Sequence, residues 1–259
     1  MALLPYLYRL MNRESLSSDD ARAASDIATA IIAVIKEQGL QSARIGMVGD
    51  DILPAPFERR LKTELPDATI TPEVEIVARL RAIKSPAEQA LMRRAAACAD
   101  SAIMAAVGVI RRGGATEREV CAEAIAAAMR DGADFVRYFR VHSGPRWPQA
   151  MDRRIEPGDI VVVDAIGAFQ GYQFDVNRTI AAGELGEKER ALCETVLEAT
   201  TSAVNACLAG NQVLDIATAA REVILASPFA DGLGASMGHG IGLETVELPY
   251  IMATEESLL

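Results

Sequence analysis

Histidine and tryptophan are scarce in this 259-residue chain, with two of the first and one of the second. Any histidine found in a suggestive setting therefore carries weight. Positive charge is also short: 26 Lys and Arg stand against 36 Asp and Glu, a formal net charge of -10. Such a chain is repelled by polyanions, which argues against nucleic acid and against an anionic membrane as partners. The four cysteines, Cys98, Cys121, Cys193 and Cys207, form no CxxC pair and have no neighbouring histidine. That excludes a zinc cluster or a disulfide framework and suggests buried thiols in a reducing compartment. No apolar run approaches the roughly 18 residues of a membrane span, and the opening MALLPYLYRLMNRE has no basic leader, so a cytoplasmic location is expected. What is plentiful is apolar surface. Half the residues are hydrophobic, enough for one large domain or two modest ones.

Residues 19–38 have helical spacing, with Ile27, Ile31, Ile32 and Ile35 on one stripe, Ser17 or Ser18 as cap and Gly39 as terminator. ARIGMVG at 43–49 reads as a strand, 55–65 as an amphipathic segment, and TITPEVEIVARL as a further extended piece. The first 80 residues thus suggest a small α/β unit. Near Ile83 the character changes. KSPAEQ supplies Ser85 as N-cap, Pro86 at the first helical position and Glu88 three residues past the cap, opening a long helix that runs to Ile110 and stops at Gly113-Gly114. Thr116 with Glu119 repeats the capping box and opens a helix that ends near Asp131. The period then shifts from 3.6 to 2: FVRYFRVHSG, IVVVDA at 160–165 and GYQFDVNRTI at 171–180 read as strands, the last two as a hairpin. Helices return at 187–208 and 214–226, before the glycine-rich extended segment SMGHGIGLETVELPYIM. The fold class expected is α/β (α+β).

Asp164 ends the apolar run IVVV, where an isolated charge is costly. Centring the hairpin on Phe169 and Gln170 sets Asp164 opposite Asp175, and two facing carboxylates are tolerable when a cation lies between them or one keeps its proton. In another register, Asp175 faces solvent. His239 lies among Gly238, Gly240 and Gly242, which permit close backbone approach. Imidazole with carboxylates suits Mn, Fe, Co or Zn better than Ca.

VVVDAIGAFQGYQFDVNRT and MGHGIGLETVELP resemble, in order, two motif segments of the pita-bread metallohydrolases, the family of Xaa-Pro aminopeptidases, prolidases and creatinase. LRAIKSPAEQALMRRAA resembles the opening of that family's catalytic domain, and SGP with RRIEPGD the approach to its first metal strand. The resemblance implies a pita-bread domain over residues 81–259 after a partial creatinase-like N-terminal α/β domain over 1–80, both incomplete relative to the family. It implies Asp164, Asp175 and His239 as ligands of a divalent site, two Mn being the leading choice. It also implies a metal-activated water for amide cleavage in a small peptide, and a homodimer. Arg178 and Thr179 match the pattern after the second aspartate; Arg178 either orients carboxylates or forms a surface ion pair.

The sequence also departs from the family pattern. Two further glutamate ligands are expected after the Gly-His-Gly segment, and Leu259 is reached first; Glu255 and Glu256 lack the expected neighbours. Two proton-handling histidines of the peptidases are replaced, one by Trp147 and the other by Val246, which precedes Glu247. Valine moves no proton. The catalytic residues are therefore unknown, and Trp147 and Glu247 are candidate substrate contacts. Two alternatives stay open. One is a non-peptidase relative, creatinase-like or dimethylsulfoniopropionate-lyase-like, cleaving a small zwitterion with Trp147 stacked on its onium group. The other is a truncated chain without catalysis.

Overall fold

Helix-forming spacing at the start of the chain produces α1, Ile27–Glu37, whose buried stripe is Ala28 and Ile32 with Ile35 beside them. Ile27 and Ile31, expected on that stripe, are exposed. The computed structural model describes residues 27–48, 55–73, 75–144, 151–234 and 236–252. The proposed caps Ser17 and Ser18, the first turns of that helix, and Glu255 and Glu256 lie outside the described residues. α1 is followed by β1, Arg44–Met47, α2, Ala55–Glu64, and β2, Thr69–Pro72, with β1 and β2 paired in parallel. Leu61 and Leu65 join Ala28 and Ile32 in a small core.

The segment after β2 corrects the extended reading of 69–80. Only TITP is a strand; Glu75–Ala82 is helix α3. Ile76, Val77 and Leu80 follow helical rather than alternating spacing, and Glu75 in the first turn with Arg79 and Arg81 in the last complement the helix dipole. The chain divides into two compact units, Met1–Val77 and Ala78–Leu259.

The second unit opens with α4, Pro86–Arg112. Ser85 accepts from the Glu88 backbone N–H while the Glu88 side chain accepts from the Ser85 N–H, and Gly113 ends the helix at φ 73°. Its buried face repeats Ala95, Ala99, Ala102, Ala106 and Val109, small residues that allow close packing. α5, Glu117–Arg130, carries the second capping box at Thr116 and buries Val120, Ala124 and Ala128. Arg94 clamps the end of α5, with its guanidinium nitrogens 3.0 Å from each oxygen of Asp131.

These two helices cover one face of an antiparallel sheet in the order β3, Phe135–His142, β4, Ile160–Phe169, and β5, Tyr172–Ala181. Strand alternation puts Phe139, Val141, Val161, Val163 and Ala165 into the core under the helices, and Arg140, Asp164 and Ile166 on the opposite face. α6, Glu187–Ala206, packs on α7, Val213–Leu225, and α7 packs against the ribbon of β6, Ser236–Gly240, and β7, Glu247–Met252. The four cysteines are free thiols, but only Cys98 is buried. Cys121 and Cys193 are half-buried, and Cys207, just past the end of α6, is exposed, which corrects the expectation of four buried thiols.

Candidate metal centre

The hairpin that carries both aspartates turns at Gln170 and Gly171, which have φ of 48° and 81°. Two consecutive positive φ values are what a two-residue primed turn requires, and glycine meets the second without strain. This turn sits one residue later than the centre expected from sequence. The pairs are therefore Asp164 with Asn177 and Ile166 with Asp175, and the two aspartates are diagonal neighbours rather than opposite each other. A shift of two in pairing preserves the face, where a shift of one would have reversed it. Both carboxylates thus lie on the sheet face away from α4 and α5.

Burial raises the Asp164 carboxyl above its usual range, with Arg140 opposing. Burial likewise raises Asp175, reinforced by the charge on Asp164 and opposed by His239 and Arg140. Asp164 is 8% exposed. Its partner across β3 is Arg140, whose Nε is 3.8 Å from Oδ2. His239 sits on β6 with Nδ1 2.9 Å from the Gly240 carbonyl and Nε2 3.7 Å from Asp175 Oδ2. If Nδ1 carries the proton and donates it to that carbonyl, Nε2 is left with its lone pair on the side of Asp175.

The glycines around His239 have steric work to do. A Cβ at Gly240 would lie 2.9 Å from the Leu248 carbonyl carbon, and one at Gly242 would lie 2.9 Å from the Glu247 carboxyl. The Gly242 carbonyl accepts from the Gln173 N–H at 2.7 Å, tying this loop to β5 two residues before Asp175.

Glu247 is buried and paired with Lys84, Nζ to Oε2 at 2.8 Å, while Oε1 accepts from the Glu244 N–H at 3.0 Å. Its remaining lone pairs are all it has for a substrate. Val246 is 45% exposed and lines a cavity of about 500 Å³ with Arg137, Arg140 and Ile166. Trp147 lies outside the described residues. Arg178 is exposed, with Nη1 2.7 Å from the Asn177 carbonyl.

Three residues that shape the site were not singled out from sequence. Arg140 interrupts the polar face of β3 beside Asp164, Lys84 precedes the α4 cap, and Glu117 is a buried carboxylate accepting from Ser143 N and Oγ at 2.8 and 2.7 Å and from Met151 N at 3.1 Å. Glu117 thereby ties Ser143 to Met151. A charged residue inside an apolar alternation was the available signal for Arg140.

Among the described residues no three His, Cys, Asp or Glu side chains are close enough to form a ready-made metal cage. The donor types nevertheless fit a divalent cation. Burial raises both carboxyls above their usual range, the charge of Asp164 adding to it at Asp175, and an imidazole nitrogen faces one of them.

A two-helix cover over an antiparallel sheet, with paired aspartates and a glycine-flanked histidine on its far face, defines a metallohydrolase-type pita-bread domain. Residues 90–259 match metallopeptidase family M24, and the chain belongs to that family. It is 37% identical over 190 residues to an Xaa-Pro dipeptidase of Pyrococcus furiosus, covering 71% of this chain and 54% of the relative. It is 33% identical over 230 residues to an Xaa-Pro dipeptidase of Pyrococcus horikoshii, covering 87% of this chain and 63% of the relative. The solved structure of an Xaa-Pro dipeptidase from Bacillus anthracis superposes with a TM-score of 0.86 at 30% identity, covering 99% of this chain and 72% of that one. The chain thus spans somewhat over half the length of the curated relatives.

Proposed function

We propose that this chain acts in metal-dependent hydrolysis of a small peptide of the Xaa-Pro type. The observation that carries the proposal is the gathering of Asp164, Asp175 and His239 on one side of the β4–β5 hairpin in a chain of a metallopeptidase family. Asp164, Asp175 and the Nε2 of His239 would hold the metal, with two Mn ions as the assignment and Fe, Co or Zn as alternatives. When bound, such a cation supplies Lewis acidity to a scissile carbonyl and acidifies water. The chain's own residues would position it: the Gly240 carbonyl orients the imidazole, the hairpin keeps both carboxylates on one face, and Arg140 stands beside Asp164, where its charge would compete with a cation for that carboxylate. Val246 gives the cavity an apolar wall and no proton.

The names of the relatives favour amide hydrolysis over cleavage of a small zwitterion. Trp147 and Glu247 remain the proposed substrate contacts. A homodimer in the cytoplasm completes the reading; no helix among the described residues is long and apolar enough to cross a membrane.

The test combines titration with Mn²⁺ and an assay on Leu-Pro and Gly-Pro, alongside creatine and dimethylsulfoniopropionate. Metal binding by the native chain, lost in Asp164→Asn, Asp175→Asn and His239→Ala, together with release of proline, is the expected result. Failure to bind Mn²⁺, Co²⁺ or Zn²⁺, or turnover of the zwitterions alone, overturns it.

A further inference from the structure

Lys84 stands just before the α4 cap, and its backbone is fastened there. Its carbonyl accepts from Gln89 Nε2 at 3.0 Å, and Ser85 beside it closes the capping box with Glu88. Glu88 also accepts from the Tyr172 hydroxyl at 3.0 Å, which ties the first turn of α4 to the start of β5. The base of the Lys84 side chain is thus held by a long helix and by the hairpin that carries both aspartates.

From this base the ammonium reaches Glu247, the first residue of β7, with Nζ 2.8 Å from Oε2. The two side chains are 13% and 6% exposed, so the pair is shielded and worth more than a screened surface contact. Glu247 lies across the β6–β7 ribbon from Gly240, whose carbonyl is 2.9 Å from His239 Nδ1. The loop that joins the two strands hangs on the same carboxylate. Glu247 Oε1 accepts from the Glu244 N–H at 3.0 Å, the Gly242 N–H donates to the Glu244 carbonyl at 3.1 Å, and the Gly242 carbonyl accepts from the Gln173 N–H of β5 at 2.7 Å. The loop is therefore closed between α4 and β5, with the imidazole one residue from its start.

We infer that Lys84 is a positioning residue for His239, acting through Glu247 and the Gly240 carbonyl to fix the tautomer and direction of the imidazole. Without the ammonium, Glu247 is a buried carboxylate that must turn towards water or take up a proton, and either change loosens the loop it holds. A ligating imidazole depends on the hydrogen bond of its second ring nitrogen for both tautomer and orientation. The inference rests on the metallopeptidase reading above for the role of His239, and deepens it by naming a residue 155 positions away in sequence, by 239 − 84, that sets the ligand's geometry.

The experiment reads the imidazole directly and then its metal. Long-range proton–nitrogen NMR correlations are recorded on the whole chain in the presence of a chelator; the chain has two histidines, and His239→Ala identifies which signals belong to His239. Native His239 is expected as the Nδ1–H tautomer. Lys84→Met should shift its ring signals and mix the tautomers while His142 stays unchanged, and Lys84→Arg should restore part of the native pattern. Arg94→Met, which breaks the clamp on Asp131 at the end of α5, should leave His239 as it is. Circular dichroism reports folding, and Glu247→Gln, which keeps the shape and removes the charge, gives the same reading should Lys84→Met not fold. Calorimetric titration with Mn²⁺ should show the metal bound about tenfold or more weakly by Lys84→Met than by the native chain. A native His239 in the other tautomer, His239 signals unmoved by Lys84→Met, or an equal shift in Arg94→Met overturns the inference, as does unchanged Mn²⁺ affinity in Lys84→Met. Absence of Mn²⁺ binding by the native chain removes the metallopeptidase reading instead, and the metal-free spectra then decide the positioning role by themselves.

Discussion

Buried charge is the strongest constraint on individual residues in this unit. Burial opposes the charge on Glu247, yet the bonds from Lys84 and the Glu244 N–H, with the field of Lys84 and Arg81, outweigh it and hold the carboxyl below its ordinary 4.5. A folded value below the unfolded one means the pair contributes fully above about pH 4.5. Its contribution is lost as pH falls through the lowered folded value. Lys84→Met leaves the Glu247 carboxylate buried beside Glu244 without its cation, and urea unfolding at pH 7 should show a loss of about 3–5 kcal/mol. The double variant Lys84→Met with Glu247→Leu should recover much of that loss, because removing both charges leaves neither unsatisfied. A loss in the single variant below about 0.5 kcal/mol, the value of a surface pair, would show that the bridge is solvated. Such pairings are hard to read from sequence. Lys84 and Glu247 are 163 residues apart, and nothing local to either residue names the other.

At the scale of elements, turn chemistry and close approach decide what alternation leaves open. The hairpin strands were legible from IVVV and from the alternation that follows, and so was the shared face of Asp164 and Asp175. The register was not, because it depends on which two residues take positive φ. The α4 and α5 starts were legible because a capping box is local: donor, acceptor and spacing all lie within four residues. Helix α3 was misread as strand because a short apolar run satisfies both periods until its neighbours choose. Gly167 shows the limit in another way. It pairs with Phe174, and a Cβ there would run into the Phe174 ring and lie 2.6 Å from the Phe135 carbonyl oxygen. Gly167→Ala should therefore destabilise the sheet by about 1–3 kcal/mol in chemical denaturation, and more if Phe174 cannot repack. An unchanged midpoint would mean that the ring moves freely, against its burial in the core.

For the whole molecule, two separate cores correspond to the two compact units. Ala28, Ile32, Leu61 and Leu65 form one, and the larger cluster beneath α4, α5 and the three-stranded sheet forms the other. Units that share no core residue unfold as separate cooperative bodies. A chain of residues 78–259 expressed alone should keep its circular dichroism per residue and a sigmoidal urea transition at the midpoint of the larger phase of the full chain. A broad, uncooperative transition would show that the first unit is needed to complete the second.

Locally encoded features were determined by the sequence itself: the caps at Ser85 and Thr116, the strand alternation, and the gathering of chemically reactive residues in two glycine-bearing motifs. Each of these rests on interactions spanning a few residues, so the signal travels with the segment. Only the tertiary structure set the hairpin register, turned Arg137 onto the same cavity as Arg140, and placed Arg140 beside Asp164 and Lys84 beside Glu247. Those depend on strand pairing and burial between segments distant in the chain, where charge pairs form because a low-dielectric surrounding penalises any charge left alone.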